Sequence, residues 1–348
     1  MRWLPWRMRS EIRVKESANN RNNRIPVPAS APHLECVSCL VRQAQEALAL
    51  AAPQPALRED ALRRALRLVA RLDWHRPPPV LGQQVHRLIR RVTRCPDPYA
   101  SVKERLNQRA AELYPVWRRR FREVYPPLEA AVRMAIVGNL LDAGAKTQLS
   151  DDAVPAAFED ALAAPLLGSV AEFAEAIRHA RNILYLADNA GEIVFDRDLL
   201  AQLPLGNSAL AVRGAPVLND ATLADARSAN LTDLCQIISN GSDAPGTILA
   251  DCSPQFREQF EAADLVIAKG HGDYESLAGV AKPIFFLLIV KCAVLAAALR
   301  CTPGSLVLWH NELAQPCAQA APSRMQGGLA CTRVPVGLES LEAFTQKT

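Results

Sequence analysis

The amino-acid sequence predicts an α/β fold, in which a mostly parallel β-sheet carries helices on its faces and an all-α region precedes the sheet. Two observations support this prediction. Up to about residue 145, apolar residues recur three or four positions apart, which is the period of an amphipathic helix. Beyond residue 150, short apolar runs of strand length alternate with polar turns and helical stretches, the pattern of successive β-turn-α units.

The predicted helical region begins near residue 35 and is rich in Ala, Leu and Arg. Proline-rich breaks at residues 76–79 and 126–127 punctuate it, as expected between helices. The alternating pattern of a β-strand does not occur there. Helical spacing is clearest in residues 41–51, 61–72, 80–92, 102–113 and 128–141.

The α/β region is predicted to contain six strands, at residues 183–187, 209–212, 236–238, 265–268, 284–289 and 306–309. Ligands bind such sheets at the loops that leave the carboxyl ends of the strands. The polar residues that follow these strands are therefore the candidate site. The predicted organisation is a disordered basic tail (1–32), a helical domain (33–150), an α/β domain that binds metal and phosphate (151–314), and an irregular C-terminal tail (315–348).

The charge distribution argues against a nucleic-acid partner. The net charge of the 348 residues is +4, but the first 24 residues contain seven Lys or Arg and two Glu, a net +5, so the remainder carries −1. The longest apolar run, residues 284–299, is interrupted by Lys291 and is shorter than the roughly 18 residues that a membrane span needs. The basic start also lacks the apolar stretch of a signal peptide. We therefore expect a cytoplasmic protein that does not bind membranes.

The nine cysteines are scattered along the chain, which is typical of reduced thiols in the cytosol. Cys36 and Cys39 form the only CxxC motif. A single motif provides two of the four ligands that structural zinc needs. Packing of two buried thiols and a redox or metal role both remain open interpretations.

The first polar cluster follows the predicted strand 183–187 and contains Asp188, Asn189, Gly191 and Glu192. Carboxylate and amide oxygens are suitable ligands for Mg²⁺ or Mn²⁺, and adjacent residues at a strand end can reach one ion. The alternative interpretation is a helix N-cap, because Asp and Asn often begin helices.

Two further clusters follow later strands. Arg213 and Asp220 come after the strand at 209–212, and Asp220 is either a third oxygen ligand or an N-cap. Arg213 either binds phosphate or lies on the surface. Lys269 leads into the Gly270-His271-Gly272 loop, where backbone N–H groups and the lysine charge favour an anion over a simple turn.

Two isolated polar features complete the candidate set. Lys291 lies inside an apolar run, where a charge is costly unless it is paired. It either reaches the surface or points into the same polar site as Lys269. Asn139 and Asp142 interrupt an otherwise apolar helix and are interpreted as capping residues or as support for the site.

These motifs, in this order, resemble the damage-control phosphatases, and the CxxC start resembles their prokaryotic branch. The resemblance spans roughly residues 33 to 310 and implies a Rossmann-like α/β/α sandwich with an all-α N-terminal region. It rests on Cys36-x-x-Cys39, Asp97-Pro-Tyr99 with Lys103 and Asn107, Gly138-Asn139-x-x-Asp142, Asp188-Asn189-Ala-Gly191-Glu192, Asn219-Asp220-Ala-Thr222, Lys269-Gly270-x-Gly272-x-Tyr274-Glu275 and Lys291-Cys292.

The resemblance implies a divalent metal ion (Mn, Co, Ni or Mg) held by Asp188, Asn189 and Asp220. It also implies that the loop 271–275 and Lys291 bind the phosphate of a small phosphorylated metabolite. Asp273 stands where the family pattern leads us to expect Asn. The predicted substrate-binding residues are Asn189, Glu192, Arg213, His271, Gly272, Asp273, Tyr274, Glu275 and Lys291, and the predicted catalytic residues are Asp188, Asp220 and Lys269.

The function predicted from these features is metal-dependent hydrolysis of phosphomonoesters of small metabolites, such as sugar phosphates or pantetheine-type phosphates. The nucleophile is either a metal-activated water or the carboxylate of Asp188 or Asp220. Two alternatives are a carboxyl methyltransferase that uses S-adenosylmethionine and a non-catalytic protein that binds a phosphorylated metabolite. The oligomeric state is not determined by the sequence.

Overall fold

The computed structural model describes residues 34–142, 153–204 and 206–311. The predicted N- and C-terminal tails, residues 1–32 and 315–348, lie outside these ranges. In the first range every regular element is helical, as predicted. Its elements are α1 (Leu34–Ala51), α2 (Pro55–Val69), α3 (Pro78–Thr93), α4 (Ala100–Val124), α5 (Pro127–Val137) and a 3₁₀ turn (Gly138–Leu141).

The later ranges contain alternating helices and strands. The strands are β1 (Leu166–Leu167), β2 (Ile183–Leu186), β3 (Ser208–Val212), β4 (Gln236–Ser239), β5 (Leu265–Lys269), β6 (Ile284–Ile289) and β7 (Leu306–His310). The helices are α6 (Val154–Ala163), α7 (Val170–His179), α8 (Glu192–Phe195), α9 (Arg197–Leu200), α10 (Leu223–Ser228), α11 (Pro254–Ala262), α12 (Gly270–Leu277) and α13 (Ala293–Leu299). A second 3₁₀ turn covers Leu231–Asp233.

The strands form one sheet in the order β1–β7–β6–β5–β2–β3–β4. Strands β2 to β6 are mutually parallel, whereas β7 is antiparallel to β6 and parallel to β1. The predicted α/β class and mostly parallel sheet are confirmed, and all six predicted strands are present. Strand β1 was not predicted, because a two-residue strand has too few positions to show a pattern.

Both faces of the sheet are covered, which explains why its strands are continuous apolar runs. Alternate residues of one strand enter different hydrophobic cores: Ile183 and Tyr185 face one, Leu184 and Leu186 the other. Helices of the predicted all-α region cover the first face, with Trp117 and Phe121 of α4 in the same core as the strands. Helices α1 to α3 form a third core around Leu48, Leu81 and Val85. The division into a helical and an α/β domain stays a prediction.

Within the described residues, no helix is both long and apolar enough to cross a membrane. The apolar run that contains Lys291 is divided between strand β6 and helix α13.

Strand β6 provides a test of how strongly packing stabilises the sheet. The Phe286 side chain is fully buried, with its ring centroid 5.3 Å from that of Tyr274 and 5.5 Å from that of Trp309. We expect Phe286→Ala to lower the free energy of unfolding by about 3–5 kcal/mol, because it removes these contacts and leaves a cavity. Urea denaturation measures the change. The control Val116→Ala, at a half-exposed position of α4, is expected to change it by no more than about 0.5 kcal/mol.

Candidate metal and substrate site

The candidate site lies where the strand order reverses. Strand β2 pairs with β3 on one side and with β5 on the other, so the chain that leaves β3 moves outward and returns to form β5 beside β2. A crevice opens at such a point, beyond the carboxyl ends of the two central strands. Gly270 follows β5 directly, and Asp188 lies two positions after the end of β2.

Backbone hydrogen bonds join the loops that follow β2 and β3. The N–H of Ala221 donates to the Asp188 carbonyl and the N–H of Ala190 donates to the Asn219 carbonyl, each at 2.8 Å. Between them, Asn189 and Asp220 form an isolated antiparallel bridge. Residues about thirty positions apart in the sequence are thereby held side by side, which explains why the three predicted metal ligands line one cavity.

Gly270 permits close contact between α12 and Asp188. Its φ is +75°, and a Cβ at this position would lie 1.8 Å from Asp188 Oδ2. Only glycine has both the backbone freedom and the space for this contact. The first residue of α12 therefore packs directly against a predicted metal ligand.

Glu192 orients two amide side chains of the site. Its Oε2 accepts hydrogen bonds from Nδ2 of Asn139 at 2.5 Å and from Nδ2 of Asn189 at 2.9 Å. The same two amide nitrogens donate to Asp188 Oδ2 at 3.1 and 3.0 Å. An ionised carboxylate accepts hydrogen bonds and donates none. The amide nitrogens of the two asparagines therefore face the acids, and their Oδ1 atoms point away from the acids. The Oδ1 atom of Asn139 is buried without a hydrogen-bond partner among the described residues.

Lys269 lies behind the cavity and does not line it. Its side chain is fully buried, and Nζ donates to Glu192 Oε1 at 2.7 Å, to Asp196 Oδ1 at 2.8 Å and to the Ala135 carbonyl at 2.8 Å. All three donors of the ammonium group are therefore occupied. The structure thus places Lys269 behind the cavity, where it supports Glu192, and its predicted catalytic role stays a prediction.

Arg213 and Asp273 form a second buried group behind the cavity. Arg213 donates from Nε to Asp220 Oδ2 at 2.7 Å and from Nη1 to Asp273 Oδ1 at 3.3 Å. Thr247 donates to the same Asp273 oxygen at 2.8 Å. Neither Arg213 nor Asp273 lines the cavity, so the carboxylate that replaces the expected Asn is a partner of Arg213. Tyr274 also lies outside the cavity, with its ring packed against Phe286.

Asn107 of α4 connects the two loops that carry the predicted ligands. Its Oδ1 accepts the Gly191 N–H at 2.7 Å, and its Nδ2 donates to Asp225 Oδ1 at 2.9 Å. Asp225 in turn caps α10 through Thr222. Lys103, which forms ion pairs with Asp225 and with Asp97, compensates the charge of this cap.

The cavity has a volume of about 210 Å³. Lys291 lines it and donates to Asp142 Oδ2 at 2.7 Å, while Asn219 donates to Asp142 Oδ1 at 3.0 Å.

Two wall residues have shifted pKa values. Burial, and to a smaller extent the charge of Lys291, lower the pKa of His271 to about 4, so its imidazole is neutral at pH 7. Burial raises the pKa of Glu275, a further wall residue, to about 7.

Sequence reasoning missed the wall that helix α1 contributes. Arg42, Gln43 and Glu46 line the cavity alongside Cys36 and Cys39. They follow the helical spacing of an amphipathic face, and this spacing is the only sequence signal they carry. The side chains of Cys36 and Cys39 are half-buried at the cavity, which places the CxxC motif at the site.

The acidic residues of the cavity fit a divalent cation. Burial raises the pKa of Asp188 well above its usual value, and the charges of Glu192, Asp220 and Asp142 raise it further. One oxygen of each predicted carboxylate ligand is held by the protein: Asp188 Oδ2 by the amides and Asp220 Oδ2 by Arg213. No hydrogen bond among the described residues uses Oδ1 of either side chain. In the described part of the chain, no group of three or more His, Cys, Asp or Glu side chains is placed to hold an ion. The predicted donor set is instead two carboxylates and the amide oxygen of Asn189.

The structure divides the predicted site residues into two sets. Those that line the cavity are Asp188, Asn189, Asp220, His271, Gly272, Glu275 and Lys291. Those that lie behind it are Glu192, Arg213, Lys269, Asp273 and Tyr274. Asn139 and Asp142 also belong to the wall, so the interpretation as site support, offered as the alternative to capping, fits their position.

The contact between Gly270 and Asp188 predicts a specific loss of metal binding. We expect Gly270→Ala to weaken Mn²⁺ binding by about tenfold or more, because the methyl group displaces the Asp188 carboxylate. Titration of the metal-stripped protein, followed by calorimetry, measures the affinity. The matched control is Gly206→Ala, whose φ of +84° imposes similar backbone strain with no atom within 4 Å. Equal effects of the two substitutions would contradict the role of the close contact.

The position of Lys269 predicts that its removal affects folding as well as activity. We expect Lys269→Met to lower the free energy of unfolding by roughly 3–5 kcal/mol, because Glu192 and Asp196 lose their buried counter-charge. Chemical denaturation measures this loss. Lys282→Met, at a lysine that donates to the Glu261 carbonyl near the surface, is the control. Wild-type stability combined with complete loss of turnover would instead restore a direct catalytic role for Lys269.

Comparisons with known proteins identify the family of this chain. The model of the damage-control phosphatase ARMT1-like domain matches residues 33–307. An uncharacterized protein of Methanocaldococcus jannaschii is 31% identical over 289 residues, covering 79% of this chain and 93% of that protein. A damage-control phosphatase of Pyrococcus horikoshii is 30% identical over 80% of this chain and 97% of its own length, and one of Archaeoglobus fulgidus is 32% identical over 78% and 96%.

A solved structure shares the fold and is similar in sequence. The crystal structure of a DUF89 family protein from Pyrococcus horikoshii superposes with a TM-score of 0.73 at 29% identity, covering 81% of this chain and 99% of that one. The family match extends from the start of α1 into strand β7, and so includes every loop that forms the cavity. The chain therefore belongs to the damage-control phosphatase ARMT1-like family.

Proposed function

We propose that this protein is a metal-dependent phosphatase that hydrolyses phosphomonoesters of small metabolites in the cytoplasm, as part of metabolite damage control. One observation carries the proposal: Asp188, Asn189 and Asp220 converge on one cavity at the point where the strand order reverses. The curated relatives named damage-control phosphatases support the phosphatase activity. The donor chemistry of the cavity supports the metal dependence.

The side chains of the cavity have distinct roles in this proposal. Asp188, Asp220 and the amide oxygen of Asn189 would hold a divalent ion (Mn, Co, Ni or Mg), which when bound supplies positive charge to the phosphoryl oxygens. Lys291 lies at the same cavity with its ammonium on Asp142. It can exchange this partner for a phosphoryl oxygen and neutralise charge that develops on the transferred group.

The buried residues behind the cavity hold these groups in position. Arg213 holds one oxygen of Asp220, so the other oxygen keeps a fixed direction toward the cavity. Glu192 does the same for the Asn189 amide. Such preorganisation lowers the reorganisation needed in the transition state. The nucleophile is a water molecule or the carboxylate of Asp188 or Asp220.

The decisive experiment is hydrolysis of p-nitrophenyl phosphate by metal-stripped protein, with Mg²⁺, Mn²⁺, Co²⁺ and Ni²⁺ returned singly. We expect metal-dependent turnover, and a decrease in kcat of at least about 100-fold in Asp188→Asn, which keeps the side-chain shape and removes the charge. The control is Asp60→Asn, at a half-exposed carboxylate of α2 that pairs with Arg64. It is expected to retain wild-type turnover.

Two outcomes would contradict the proposal. Turnover that survives Asp188→Asn would place the active site elsewhere. Folded protein that is inactive with all four metals would favour the other hypotheses, and calorimetry would then distinguish them. Binding of S-adenosylmethionine would support methyl transfer, whereas tight binding of a phosphate ester without hydrolysis would support a binding protein.

A further inference from the structure

Helix α1 extends along one wall of the cavity, and its residues approach two different ends of it. Near one end, Glu46 lies close to Asp142: burial raises the pKa of Glu46, and the charge of Asp142 raises it further. Near the other end, Cys39 lies close to Cys292: burial raises the pKa of Cys292, and Cys39 raises it further. Because an α-helix rises 1.5 Å per residue, the seven residues from Cys39 to Glu46 span about 10 Å of the wall. The Asp142 end is the one that carries Lys291.

Arg42 lies between these two ends, and its guanidinium is available to a ligand. Its half-buried side chain lines the cavity, and no hydrogen bond or ion pair joins its guanidinium to another described residue. Burial raises the pKa of Glu46, one turn along the helix, and the nearby charge of Arg42 lowers it. The other cations near the site are engaged: Lys291 binds Asp142, while Lys269 and Arg213 are buried in ion pairs.

A guanidinium in this position is suited to an anionic ligand. Its planar set of N–H donors binds carboxylate or phosphate through two parallel hydrogen bonds. The ester phosphate is expected at the end with Lys291 and the carboxylates, so Arg42, about 6 Å along α1 from Glu46, faces the organic part of the substrate.

We propose that Arg42 binds a second anionic group of the substrate, so that the preferred substrates are small phosphate esters that also carry a carboxylate or a second phosphate. This inference rests on the proposed phosphatase function and adds a substrate class to it. Arg42 is then a specificity-determining residue, and the helical region contributes the discrimination between substrates while the sheet contributes the chemistry.

Matched substrate pairs test this assignment. 3-Phosphoglycerate and glycerol 3-phosphate differ by a carboxylate, and fructose 1,6-bisphosphate and fructose 1-phosphate differ by a phosphate. We expect the wild-type protein to prefer the more anionic member of at least one pair by about tenfold in kcat/KM, since a hydrogen bond to a charged group contributes that much or more. The pair that shows the preference identifies whether the second group is a carboxylate or a phosphate.

Substitution of Arg42 should remove the preference. We expect Arg42→Gln to reduce the preference about tenfold, to near equality, mainly by raising KM for the more anionic ester. Arg42→Lys should restore part of the preference, because it keeps the charge but loses the paired hydrogen bonds. Arg64→Gln, at an exposed position of α2, is the control and should leave all substrates unaffected.

Two results would overturn the inference: a wild-type protein without preference in either pair, or an Arg42→Gln variant that slows both members of a pair equally. Calorimetric binding of the four esters separates this failure from failure of the phosphatase proposal. If none is hydrolysed, tighter binding of the more anionic ester that disappears in Arg42→Gln still supports the role of Arg42. Equal binding of both members of each pair refutes it.

Discussion

The buried ion pairs of Lys269 underlie the rest of the site. The ammonium group contacts Glu192, Asp196 and the Ala135 carbonyl, and so joins strand β5 to α8, to the turn before α9 and to α5. A buried carboxylate keeps its charge only if a counter-charge or hydrogen-bond donors surround it. Lys269 binds Oε1 of Glu192, and Oε2 accepts from Asn139 and Asn189 and so orients both amides at the cavity.

Arg213 provides a second anchor of the same kind on the other side of the crevice. It contacts Asp220 and Asp273, and Thr247 completes the group. Hydrogen-bond donors help to explain how Asp188 and Asp220 can share a small volume: Oδ2 of Asp188 accepts from two amides, and Oδ2 of Asp220 accepts from Arg213. Oδ1 of each accepts no hydrogen bond from the described residues, and such an oxygen is a suitable ligand for a hard cation.

The all-α region contributes to the site as well as to the fold. Asn107 of α4 bridges Gly191 and Asp225, and so sets the spacing of the two ligand-carrying loops. Helix α3 holds the loop after β4 through Gln83, which donates to Asp243 and Asp251 at 2.7 Å each. Helix α1 forms a wall of the cavity. The sheet thus presents the acidic groups, and the helices enclose the volume in which a substrate would lie.

The sequence by itself determined the fold class, the helical region, six of the seven strands and the polar clusters that follow the strands. These features are local, because periodicity and strand-end position are readable within ten or twenty residues. The tertiary structure alone decided which polar residues face the cavity. Lys269 and Glu275 belong to one predicted motif, yet Lys269 is fully buried in ion pairs and Glu275 lines the wall. The physical reason is that the direction of a side chain, and the partner that compensates its charge, depend on residues distant in the sequence, as Asn139 and Arg213 show.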